Sequence, residues 1–232
     1  MSERSCTDSE QTVILDIQGL QAWYGQAQIL FDLNLQVHKG EAVALMGPNG
    51  AGKSTTMKAI MGLVKHQAHT LDFLGKDILA LSTHQIARRG LAYVPEERRI
   101  FADLSVEENL QCAYQAPRKW PDGSPVHTWT LEELFSLFPN LAKLRKRLGG
   151  QMSGGEQQML SIARSLMGNP YVVLLDEPSE GVAPIIIDQL AQSLITLKQK
   201  GLTILLSEQN QFFAQQICDR RYFLAQGQMV QA

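Results

Sequence analysis

Apolar and polar positions along this chain fall into segments of different period. Near the start, TVILDIQGLQAWYG and ILFDLNLQVHKG read as short strands, with turn signals at Gly25, Lys39 and Gly40. EAVALMG predicts a buried strand that runs straight into a glycine-rich turn, followed by a helix from Lys53 to about Leu63. LAYVPEE predicts a further strand ending at a proline. Later, YVVLLD and LTILLSE are near-continuous apolar runs, as in parallel strands covered on both faces. The stretch between them, APIIIDQLAQSLITLKQKG, has helical periodicity and stops at Gly201.

The middle of the chain has a different pattern, and helices are expected to dominate from about residue 104 to 168. Ser105 and Glu108 have the spacing of a capping box, in which each side chain serves the other's backbone N–H at a helix start. Thr130 and Glu133 repeat that spacing and open LEELFSLF, which Pro139 should stop. APRKWPDGSPVHTW holds Pro117, Pro121, Pro125 and Gly123 and predicts a loop. No internal repeat or low-complexity segment interrupts the pattern. The expectation is one domain over 1–232, with a parallel α/β core and a helical insertion over about 100–168. A flexible polar tail is expected at 1–11.

Composition narrows this picture. The 232 residues suit a single α/β domain with insertions, and 44% apolar residues suffice for a sizeable core. A net charge of −2 gives no reason to expect a nucleic-acid partner or an anionic membrane surface. Cys6, Cys112 and Cys218 are scattered, with no metal-ligand spacing and no disulfide framework. The start, MSERSCTDSEQ, lacks the apolar stretch of a signal peptide, and no segment approaches the roughly 20 apolar residues needed to cross a bilayer. A cytoplasmic location is expected, with any membrane association provided by other subunits.

Three motifs carry chemistry. GPNGAGKST (Gly47, Pro48, Asn49, Gly50, Ala51, Gly52, Lys53, Ser54 and Thr55) matches G-x-x-x-x-G-K-[ST] between a strand and a helix. Its glycines let backbone N–H groups turn inward around phosphates at the positive end of a helix. Lys53 would reach the β- and γ-phosphates, and the Ser54 hydroxyl would ligate Mg²⁺. VVLLDEP ends an apolar strand in two carboxylates, at the edge where open α/β sheets bind ligands. Asp176 is placed to hold Mg²⁺ and Glu177 to orient an attacking water. In MSGGEQQ, Ser153 and Glu156 have capping-box spacing. A cap does not need Gly154 and Gly155, which are poor helix formers costing about 1 kcal/mol each relative to Ala. Bare glycine backbone would admit a second phosphate.

In this order, GPNGAGKST, MSGGEQQ and VVLLDEP resemble the Walker A, signature and Walker B motifs of ABC transporter ATP-binding subunits over nearly the whole chain. The resemblance implies a P-loop NTPase with a RecA-like parallel core, an antiparallel β subdomain and an inserted helical subdomain. It implies an ATPase that binds ATP and Mg²⁺ between two subunits paired head to tail. Ser153, Gly154, Gly155 and Glu156 would then cover the partner's ATP. Tyr24 looks like the aromatic that stacks on adenine, with Trp23 as its rival. Glu96 falls at the usual Q-loop glutamine, a metal-side position, and Gln209 at the usual switch histidine. Ala183 replaces the D-loop aspartate common in relatives.

VPE..RIF, SGGEQQML, DEPSEGVAPIII and EQN further resemble LivF-type subunits of branched-chain amino-acid uptake systems, although Glu97 stands where a glycine is usual. That likeness implies a second ATP-binding subunit, homologous or identical, and two integral membrane permease subunits, with Arg98, Arg99 and Phe101 as docking contacts. It implies an indirect periplasmic solute-binding protein and a place on the inner face of a bacterial plasma membrane. Urea, amides or aromatic acids are alternative solutes, and a non-transport ATPase or an exporter is a lesser alternative. Of the remaining features, His66 and His69 are too sparse for a metal site, and Lys143, Arg145, Lys146 and Arg147 read as a solvated helix face. Trp120 and Trp129 either pack locally or meet a partner.

Overall fold

The structure, a computed structural model, describes residues 12–230. The tail expected at 1–11, with Cys6, lies outside the described residues. Strands β1 (Val13–Tyr24), β2 (Ala27–His38) and β3 (Ala42–Met46) lead to helix α1 (Lys53–Ile60). Strands β4 (Lys65–Gln67), β5 (Thr70–Phe73) and β6 (Lys76–Asp77), helix α2 (Thr83–Arg88) and strand β7 (Leu91–Val94) follow. Helices α3 (Val106–Gln111), α4 (Leu131–Leu137), α5 (Pro139–Lys143) and α6 (Gly154–Leu166) make the insertion. The chain closes with β8 (Val172–Asp176), α7 (Pro184–Gln199), β9 (Thr203–Glu208), α8 (Gln211–Ile217), β10 (Arg220–Ala225) and β11 (Gln228–Val230).

Two sheets result. One is antiparallel, in the order β2-β1-β5-β6, with β4 also paired to β1. The other runs β11-β10-β3-β9-β8-β7 and is parallel except at the β10–β11 hairpin. Alternation along the central strands divides the core. Ala42, Ala44 and Met46 face the cluster that includes α6, α7 and α8, while Val43 and Leu45 face the one shared with α1 and the antiparallel sheet. Val173 and Leu175 face the first cluster, and Val172 and Leu174 the second. Two-sided burial is why these strands read as unbroken apolar runs.

Several local expectations are corrected. α1 ends at Ile60, short of Leu63, because Met61 and Gly62 turn back onto Met57 and Ala59. Pro139 does not simply end a helix. It starts α5 at a position where its missing N–H costs nothing. Thr130 does cap α4, accepting from Glu133 N, but Glu133's carboxylate goes to His127 and Lys200 instead of completing the box. α5 stops at Lys143, so Arg145, Lys146 and Arg147 lie in the turn beyond it, where Arg145 pairs with Glu107. The loop expected from APRKWPDGSPVHTW is present as the irregular stretch between α3 and α4. Trp120 and Trp129 hold it in place: both are buried, Trp120 with its ring 4.9 Å from that of Tyr171.

Candidate active site

The loop between β3 and α1 is shaped by its glycines. Gly52 caps α1 with φ 108°, a left-handed conformation, and a Cβ there would stand 2.7 Å from Leu30 Cδ2. No side chain caps the first turn of α1, so its N–H groups are left for a ligand. Asn49, Gly50, Gly52, Lys53, Ser54 and Thr55 line a cleft of 490 Å³ with Tyr24, Ile29, Glu96, Glu177 and Glu180. Gly47, Pro48 and Ala51 shape the loop without lining the cleft: Pro48 O accepts from Ala51 N, and Ala51 O from Gly227 N.

The edge of the parallel sheet brings distant residues together here. Asp176 pairs with Ser207 across β8 and β9, and the Ser207 hydroxyl donates to Asp176 Oδ1 at 2.6 Å. Ser54 Oγ donates to the same oxygen at 2.9 Å, and Tyr93 Oη to Oδ2 at 2.9 Å. Burial first, then the Asp176 charge, pushes the Tyr93 phenol well above its ordinary value, so it remains a proton donor. A hydroxyl and a carboxylate in contact are the hard oxygen donors that suit Mg²⁺ completed by phosphates and water. Among the described residues no group of three or more His, Cys, Asp or Glu gathers as a self-sufficient metal site. Glu96 lines the cleft but makes no hydrogen bond to Ser54 or Asp176.

Glu177 adjoins this cluster with φ 47°, a strained conformation for a residue with a side chain. Its N–H is held by the Ser207 carbonyl at 3.1 Å. Lys53 Nζ lies 2.9 Å from Oε1, and Gln209 Nε2 donates to Oε2 at 2.7 Å. Burial drives the Glu177 carboxyl upward, but the bonds from Gln209 and Lys53 outweigh it and hold the group below the ordinary carboxylate range. Gln209 Nε2 also donates to Asn49 Oδ1 at 2.6 Å, so the switch position bridges the phosphate loop and the acid. Glu180 shares a hydrogen bond with Glu177, which raises its own affinity for a proton. Lys53 Nζ further donates to Gly47 O and Pro48 O, which fixes the ammonium inside its loop.

Other expected residues stand apart. Tyr24 lines the cleft, whereas Trp23 does not line it and has Lys65 Nζ 5.5 Å from its ring. Ser153 to Glu156 open α6 away from the cleft, with both halves of the capping box formed. The two glycines have intramolecular reasons that the sequence did not reveal. A Cβ on Gly154 would meet Arg98 Nη1 at 2.6 Å, and one on Gly155 would meet Ile186 Cγ2 at 2.8 Å. Ala183 caps α7 with no side-chain hydrogen bond. Sequence reasoning missed Ser207, Tyr93 and Glu180. Only Ser207 had a visible signal, as the polar end of an apolar strand next to VVLLD.

Residues 30–180 match the family model described as ABC transporter. The chain belongs to the ABC transporter family. Among curated relatives, it is 40% identical to the high-affinity branched-chain amino acid transport ATP-binding protein BraG of Pseudomonas aeruginosa, covering 94% of this chain and 91% of that one. It is 35% identical to the lipopolysaccharide export system ATP-binding protein LptB of Haemophilus influenzae, covering 94% and 89%. It is 37% identical to a probable branched-chain amino acid transport ATP-binding protein LivF of Archaeoglobus fulgidus, covering 90% and 87%. Among solved structures, it resembles the ADP conformation of an ATP-binding cassette of an ABC transporter with TM-score 0.76 and 28% identity, covering 94% and 90%. A nucleotide-free cassette from an ABC transporter gives TM-score 0.77 and 27% identity, covering 95% and 90%. The ABC transporter fold assigned from the motifs is therefore the fold observed, and the chain is an ATPase. No helix among the described residues is long and apolar enough to cross a membrane.

Proposed function

We propose that this chain is the ATP-hydrolysing subunit of an importer for branched-chain amino acids or a related small polar solute. The observation that carries the ATPase part of the reading is one cleft in which Ser54 meets Asp176 and Glu177 meets both Lys53 and Gln209; the importer part rests on the likeness to branched-chain amino acid transport ATP-binding proteins. The loop amides and Lys53 hold the ATP phosphates, and Tyr24 stacks on the base. Ser54 and Asp176 would hold Mg²⁺, with Glu96 on the cleft wall, and the ion would supply charge neutralisation at the phosphates. Glu177 orients the water, and Gln209 holds Glu177 in line with the phosphate loop. Gln209 donates without titrating near neutral pH. The Ser153–Glu156 turn covers the ATP of a second ATP-binding subunit, homologous or identical. ATP then favours the closed pair more than ADP does, and that difference drives the cycle.

The pair is mounted on two membrane permease subunits at the inner face of a bacterial plasma membrane, with a periplasmic solute-binding protein delivering the solute. A 470 Å³ groove supports the docking reading. Arg88, Arg99, Arg118 and Arg164 line it, no carboxylate does, and Arg164 Nη1 is buried without a partner. Of the three docking contacts expected from sequence, Arg99 lines this groove. Phe101 is exposed beneath the Arg164 guanidinium, 4.8 Å away. Arg98 turns elsewhere. The test is reconstitution with the membrane subunits encoded beside this chain. ATPase activity should rise with a leucine-, isoleucine- or valine-loaded receptor. Activation by a different solute alone would overturn the solute assignment.

A further inference from the structure

Arg98 is the one expected docking residue that faces the signature turn, and three features there are unfavourable without an anion. Arg98 and Arg99 both have left-handed backbones, φ 63° and 44°. Next-door bonds hold them so: Ser161 Oγ donates to Arg98 O and Arg164 Nη2 to Arg99 O, each at 2.6 Å. The Arg98 guanidinium is thereby laid across Gly154, where a Cβ would stand 2.6 Å from Nη1, with Nη2 only 3.7 Å from the Cβ position of Gly181. That puts a cation at the start of α6, the end of a helix that repels positive charge. The acid of the same turn offers no relief, because Glu156 Oε2 accepts from Ser153 N instead. Among the described residues no carboxylate lies within ion-pair distance of Arg98, and no side-chain N–H of it has a protein acceptor. Nε is buried and unpartnered.

Strain, like-sign repulsion and unpaired donors converge on one place, and an anion brought to the α6 amides would relieve the last two. Guanidinium is well matched to phosphate oxygens, which it can grip with two parallel N–H groups. We infer that Arg98 binds the terminal phosphate of the ATP held by the opposing subunit, as a charged ligand supplied in trans beside Gly154 and Gly155. This rests on the reading that the signature turn covers a partner's ATP. It also gives position 154 a chemical reason to lack a side chain: any Cβ there would displace the guanidinium.

The test uses the Glu177→Gln chain, alone and mixed with the homologous ATP-binding subunit, followed by sedimentation velocity across an ATP–Mg²⁺ titration. Arg98→Gly should raise the ATP concentration for half-maximal pairing at least tenfold, and Arg98→Lys should recover part of that loss. Binding of a fluorescent ATP analogue to the variant's own phosphate loop should stay within twofold of the parent. The melting temperature of Arg98→Gly should not fall, because glycine relieves the left-handed backbone and removes a repelled charge. Parental pairing by Arg98→Gly would overturn the inference, and so would weaker pairing with a lowered melting temperature, which marks a merely structural role. Ser153→Arg separates the two levels. If it pairs like the parent, the trans reading fails and takes this inference with it. If it blocks pairing while Arg98→Gly does not, only the present inference fails.

Discussion

At the scale of single residues, the chemistry turns on how Glu177 is held. Its backbone is strained, and its carboxylate is gripped from two sides by Lys53 and Gln209. Glu177→Gln keeps the shape but loses the base, and its amide can accept from only one of the two donors, Lys53 and Gln209. ATP should still bind while steady-state hydrolysis falls by about 10²- to 10⁴-fold, the usual range for a lost general base; an undiminished rate in a phosphate-release assay would remove Glu177 from the chemistry. Gln209 offers a second residue-scale test. Its amide has no ionisation near neutrality, so the parent should show no ionisation from this position between pH 6 and 8. Gln209→His introduces a group with an ordinary pKa near 6.5, and its pH–rate profile should gain an ionisation that the parent lacks. Identical profiles would mean that the bridge from Asn49 to Glu177 does not reach the reacting centre.

Between elements, the antiparallel and parallel sheets are tied by Glu41, which is buried and bound to Arg220 at the start of β10 and to His38 at the end of β2. Burial raises its proton affinity, but the bonds from Arg220 and His38 outweigh this and hold its pKa below the ordinary 4.5. The folded state therefore holds this proton less tightly than the unfolded chain. The stabilisation is present above about pH 4.5 and is lost as pH falls through the lower, folded value. Glu41→Gln should flatten that part of the acid-unfolding curve and cost about 1–3 kcal/mol at neutral pH in urea denaturation. Elements were legible where burial was two-sided or a cap was local. β3, β8 and β9 announce themselves as apolar runs, and Ser105 with Glu108 marks α3. β4 and β6 were not legible, since KHQ and KD are short, polar and largely exposed. The site follows the same rule. Contiguous motifs named Lys53, Ser54, Asp176 and Glu177, but Tyr93 and Ser207 act through strand pairing, which a linear reading does not reveal. The glycines of the signature were read as room for a ligand, and the structure adds Arg98 and Ile186 as occupants of that room.

For the whole molecule, the short segment from Pro95 to Phe101 contributes to both the nucleotide cleft and the arginine groove. Glu96 enters the cleft, Arg99 enters the groove, and Arg98 crosses to the start of α6. A membrane subunit that docked on this segment would therefore act on the cleft and on the start of α6 at once. Charge should decide the docking. The groove gathers four guanidinium groups and no acid lines it, Glu97 pairing with Arg99 from outside at 3.8 Å, and burial lowers the proton affinity of Arg118 and Arg164, which marks an environment costly for unpaired cations. The membrane partner should therefore present carboxylates. Exposed Arg88 is the residue to reverse, because its side chain makes no hydrogen bond within the protein that the change would break. Arg88→Glu should cut recovery of the chain with co-expressed membrane subunits severalfold, and raising salt from about 50 to 500 mM should weaken parental assembly as screening shortens the reach of these charges. Assembly indifferent both to the reversal and to salt would place the contact on another face and would detach the Pro95–Phe101 segment from coupling.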